Sequence, residues 1–66
     1  MEEKERLRIV LKHLIEHNEG HTEDYKRWVE LARSSDMEKA AKYLEEAGKH
    51  VEKAGEALKK ALDLLG

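Results

Sequence analysis

From Leu7 onward, apolar or helix-facing residues recur at Leu7, Leu11, Leu14, Asn18, His21, Tyr25, Trp28 and Ala32. The spacing alternates four and three, which marks a heptad seam along one helix that packs on another. The phase passes through Gly20 without a slip, whereas a true break there would leave a second helix free to reset it. The pattern therefore predicts one helix over about 2–33. Gly20 lies inside it and costs about 1 kcal/mol relative to alanine.

The stretch "SSDME" is the clearest punctuation in the chain. Ser35 can cap a new helix, and Glu38, three residues on, can complete a capping box by accepting from the N–H of the cap. Asp36 adds negative charge where a helix dipole favours it. A second helix is predicted over about 36–65. It carries a seven-residue repeat, "EKAAKYL", "EEAGKHV", "EKAGEAL", "KKALDLL". The seam of this helix is Met37, Ala41, Leu44, Gly48, Val51, Gly55, Leu58, Leu62 and Leu65, with a parallel stripe of Ala40, Ala47, Ala54 and Ala61. Small residues at every seventh position let a partner helix approach closely, because side-chain size sets the distance between helix axes.

A connection at Ser34–Ser35 is short enough to force an antiparallel hairpin. The expected fold is thus all-α, a single helical-hairpin domain over 1–66. Folding about that pivot sets Trp28 near Ala41, His21 near Gly48, Leu14 near Gly55 and Leu11 near Leu58. Large then faces small at three of the four levels. One flank, with Ile15, Thr22 and Val29 against Glu38, Glu45, Glu52 and Lys59, reads as wet. The other sets Val10, His17, Asp24 and Leu31 beside the alanine stripe, with Tyr43, His50, Ala57 and Leu64 further round. Two helices of this size are marginal alone, and a bare apolar flank is unusual on a soluble monomer. The expectation is a homodimer that closes a four-helix bundle.

Composition narrows the classes. With no cysteine and no proline, and 42% charged residues, the chain has neither disulfides nor thiolate metal sites and suits long helices. A charged chain with few aromatics can also be disordered, but strict apolar periodicity argues against that. A formal net charge of −2 provides no basic footprint for nucleic acid. No apolar run approaches the roughly 18 residues of a membrane span, and "MEEKERLR" lacks the apolar core of a secretory signal. A cytoplasmic location is expected. The Glu/Lys-rich surface suits a thermophile or a designed bundle equally.

Candidate chemistry centres on "HLIEHNEGH", where His13, His17 and His21 are spaced four apart and so share one slowly drifting face. Imidazoles at i and i+4 can chelate one divalent ion, as on the HExxH helix. Asp24 falls on the same face and can add a carboxylate, and His50 lies on the matching flank of the second helix. The set His17, His21, Asp24 and His50, drawn from one hairpin or two, suits zinc, nickel or cobalt. His13 trails toward the outer edge. The competing reading is metal-free: Asn18 and His21 fix register and partner choice, or the histidines respond to protons near pH 6.

Catalysis is not expected. "HLIEH" matches the H-x-x-E-H zinc-peptidase pattern, but so short a chain has no room for the further ligand and substrate cleft. The Glu-x-x-His motif of di-iron bundles is absent, since Val10, Leu14, Asn18 and Ala47 stand three before each histidine. There is no nucleophile motif and no glycine-rich phosphate loop. Tyr25 and Trp28 read as seam residues.

The run "HLIEHNEGHTEDYKRW" resembles a family of small helical proteins of anaerobic archaea and bacteria that share H-x-I-E-H-N-x-x-H-x-x-x-aromatic-x-x-W. The pattern maps onto His13, Glu16, His17, Asn18, His21, Tyr25 and Trp28, with departures at Leu14, usually aromatic, and at Gly20. A redesigned relative would carry the same pattern. The resemblance implies a helical hairpin over most of the chain and an association with nickel or cobalt handling. Taken together, the sequence points to a small non-catalytic helical dimer that binds a divalent transition metal through the first helix.

Overall fold

The computed structural model describes residues 2–66, which form two helices, α1 (Glu2–Ser34) and α2 (Glu38–Leu64), packed as an antiparallel hairpin. Helix α1 runs unbroken through Gly20, where an added Cβ would meet nothing within 4 Å. The continuous heptad phase was therefore the deciding signal. Glu2, Glu3 and Glu5 occupy the first turn of α1 and Arg33 its last, so both ends carry the charge that opposes the helix dipole. At the open end, Arg8 Nη2 donates to the Leu65 carbonyl at 3.4 Å and also to the Gly66 carbonyl.

The connection differs from the expected capping box. Ser35 makes no cap; the residue before α2 is Met37, and it offers no side-chain cap hydrogen bond. Instead α1 closes with a Schellman motif. Asp36 adopts φ +59°, the Met37 N–H donates to the Ala32 carbonyl at 2.8 Å, and the Asp36 N–H donates to the Arg33 carbonyl at 3.2 Å. The left-handed turn carries the chain past Ser35 before it reverses, so Ser35 is spent on ending α1 rather than starting α2.

That turn also resets the register. An added Cβ on Gly48 would lie 3.3 Å from Tyr25 Cβ, and one on Gly55 would lie 2.5 Å from Asn18 Oδ1. Tyr25, not His21, therefore faces Gly48, and Asn18, not Leu14, faces Gly55. The pivot sits between Asp36 and Met37 rather than at Ser34–Ser35, which slides one helix along the other by about one turn, or 6 Å. Continuing the same offset sets Ala32 opposite Ala41, both buried, and Leu11 opposite Leu62.

The face of α1 toward α2 is rotated as well. Ile15, Thr22 and Val29, expected to be wet, are half-buried, while Leu7, Leu14, His21 and Trp28 are exposed. The buried apolar core among the described residues is only Leu11, Ala32 and Ala41. Two ion pairs, Arg33–Glu45 at 3.3 Å and Lys59–Glu19 at 3.4 Å, lie along the half-buried side of the hairpin.

Candidate functional site

With Leu11, Asn18, Tyr25 and Ala32 turned toward α2, the neighbouring heptad positions of α1 form a second stripe that α2 does not cover. It runs Leu7, Val10, Leu14, His17, His21, Asp24, Trp28 and Leu31, again at alternating spacings of three and four. Every member is exposed except Asp24, which is half-buried; Val10 and Trp28 are 49% and 52% accessible. The stripe is apolar at both ends and polar in the middle. That middle is His17, His21 and Asp24.

On the same side of the hairpin, α2 presents Ala40, Tyr43, Ala47, His50, Ala54 and Ala57. At the connection end the two stripes share an apolar groove lined by Trp28, Leu31, Met37 and Ala40. The hairpin thus has one charged side, carrying both interhelical ion pairs, and one side that is largely apolar with histidines at its centre.

His17 and His21 meet edge to face, with ring centroids 4.4 Å apart and planes at 88°. The four-residue helical spacing stacks their side chains, so this contact follows directly from the sequence. Two nitrogens bound to one tetrahedral ion stand only about 3.3 Å apart, given bonds near 2.0–2.1 Å. The pair has the i, i+4 spacing of a two-imidazole chelate, and closing on an ion requires the two rings to turn from this edge-to-face contact.

The other expected ligands are placed differently. Asp24 shares the stripe, but its carboxylate is engaged by Arg27 one turn on. His13 points away from α2 and lies outside the stripe. His50 is exposed on α2. Among the described residues, no group of three or more histidine, aspartate or glutamate side chains comes together to hold an ion within one hairpin. The chain alone supplies two imidazoles and leaves the rest of a coordination sphere open. Sequence reading placed His17 and Asp24 on this uncovered flank; what it missed is that His21, with Leu14 and Trp28, lies there too rather than in the seam. The alternation 7, 10, 14, 17, 21, 24, 28, 31 was present to be read, but it competes with an equally regular seam one position away.

The family model described as Domain of unknown function (DUF8180) matches residues 7–65. The chain belongs to the DUF8180 family. The match takes in α1 from Leu7, all of α2 and the whole histidine stretch, in keeping with an uncharacterised small family. No curated protein and no solved structure matches the chain. Among the described residues, no helix is long and apolar enough to cross a membrane.

Proposed function

We propose that this DUF8180 protein is a non-catalytic helical module that binds a divalent transition metal through His17 and His21 and works as a homodimer. The observation that carries the metal reading is the His17–His21 contact, two exposed imidazoles with ring centroids 4.4 Å apart one turn from each other on α1. Imidazole donors suit zinc, nickel and cobalt. Asp24 is the nearest oxygen donor on the same stripe, available once Arg27 releases it.

Surface area supports the dimer. A compact monomer of 7.7 kDa is expected to expose about 4,300 Å², whereas this hairpin exposes 5539 Å². Its radius of gyration is 15.3 Å, against about 11 Å for a compact chain of this length. The excess, about 1,200 Å² per chain, doubles to about 2,400 Å² across two chains, within the range of obligate homodimers.

The test is calorimetric titration of chelator-treated protein with nickel, cobalt and zinc, with the His17→Ala/His21→Ala double variant as control. Saturable uptake at micromolar metal that disappears in the double variant supports the reading. Uptake that is absent, or equal in the two proteins, refutes it and leaves a metal-free dimer whose histidines set register or respond to protons.

A further inference from the structure

One hairpin brings together only two ligands, and the fourth histidine of the chain, His50, stands on the same uncovered side without a role. We infer that the second copy docks with its connection at the same end, about a two-fold axis parallel to the helices, so that the partner's His50 completes the His17–His21 site. The inference rests on the metal reading above and adds the identity and orientation of what completes the site.

Size complementarity selects this arrangement. The two uncovered stripes are unequal: α1 presents Leu14, His17, His21, Trp28 and Leu31, while α2 presents four alanines with Tyr43 and His50 between them. A two-fold axis parallel to the helices lays α1 of one copy on α2 of the other, large on small, and neighbouring axes can then approach evenly. A two-fold axis across the helices lays α1 on α1 and α2 on α2. Trp28 and the leucines would then meet one another while the alanines met alanines, which splays one side of the bundle from the other.

The observed register then places the last ligand. Tyr25 is level with Gly48, so His50, two residues further along α2, is level with Glu23 on α1. A two-fold axis parallel to the helices leaves every residue at its own height. The partner's His50 therefore arrives about 3 Å along the axis from His21, about 1.5 Å from Asp24 and about 9 Å from His17, at 1.5 Å per residue, so His21 is the ligand it meets directly and His17 joins from one turn away. Beside that His50 the partner's Ala47 and Ala54 leave room for the ion. Each dimer gains two such sites, each with imidazoles from both chains, and Asp24, whose carboxylate Arg27 holds, stands at the height of the incoming His50. In the crossed arrangement His50 faces the alanine stripe of the other α2 and does not meet the partner's His17–His21 pair.

Two measurements on the full chain decide the matter. The protein lacks cysteine, so a Ser35→Cys variant takes one spin label at the tip of each hairpin, and dipolar spectroscopy of the zinc-loaded protein reads the distance between tips. Connections at the same end predict a separation below about 30 Å, set by helix diameters of about 10–12 Å. Connections at opposite ends predict a value near the 52 Å length of the hairpin. In parallel, zinc titration of His50→Ala is compared with wild type and with His17→Ala/His21→Ala. The expected result is one zinc per chain in the wild type and at least about tenfold weaker binding in His50→Ala, since losing residues that merely orient a ligand already costs that much. A long tip-to-tip distance, or a monomer at all concentrations, overturns the inference. So does wild-type affinity in His50→Ala, which leaves the His17–His21 reading standing if the double variant still loses zinc. A wild type that takes up no zinc, nickel or cobalt overturns both.

Discussion

Tyr25 rests its Cβ against the bare backbone of Gly48, 3.3 Å from where a side chain on that glycine would begin. This contact fixes the register of the hairpin and separates the roles of two helical glycines. Alanine at Gly20, with open space around it, gains helix propensity and raises stability by about 0.5–1 kcal/mol. Alanine at Gly48 gains the same propensity but must push Tyr25 aside at a point near its backbone, where the side chain cannot swing clear. Thermal melts should show Gly20→Ala raised by several degrees and Gly48→Ala at or below wild type. Equal gains in both would mean that Tyr25 does not hold the register.

Asp36 stands where a Schellman motif ordinarily places glycine. Removing its Cβ relieves the left-handed strain, so Asp36→Gly is expected to stabilise the hairpin by about 0.5–1 kcal/mol. Asp36→Val, which is β-branched, should destabilise it. Denaturant midpoints at unchanged slope check both.

The chain also offers a test of which signal governs the connection. If Ser35 capped α2, Ser35→Ala would cost about 0.5–2 kcal/mol. Because Met37 occupies the cap position without a side-chain bond, Ser35→Ala should change stability by less than about 0.5 kcal/mol. A larger loss by chemical denaturation would restore the capping box.

Trp28, the single tryptophan of the chain, is 52% accessible in the isolated hairpin. Dimerisation through the uncovered stripe should shift its fluorescence to shorter wavelength as protein concentration rises. Leu14→Glu, on the same stripe and 44% accessible, should abolish that shift and leave a monomer by sedimentation. Emission that is independent of concentration, in a protein that sediments as a monomer, would contradict the dimer.

A good part of this molecule is legible in its residues taken in order. The alternating three-and-four spacing from Leu7 to Ala32 gives α1 its length and carries it through Gly20, because nothing in the fold requires that glycine to turn. The heptads of α2 and the polar break at Ser34–Asp36 give the second helix and the hairpin. The four-residue interval between His17 and His21 brings the two rings together without any tertiary contact, since helical geometry alone sets it. The register is another matter. A slide of one turn keeps large residues facing small ones, with Tyr25 replacing His21 over Gly48, so the sequence pattern is nearly indifferent to it. The left-handed turn at Asp36 chooses between the two, and turn geometry depends on backbone angles that residue types restrict only loosely. The same turn, with the rotation that half-buries Ile15, Thr22 and Val29, decides that His21 joins His17 and Asp24 on the uncovered stripe rather than facing α2. Local periodicity wrote the helices and the histidine pair; the packed pair of helices alone determined which way that pair faces.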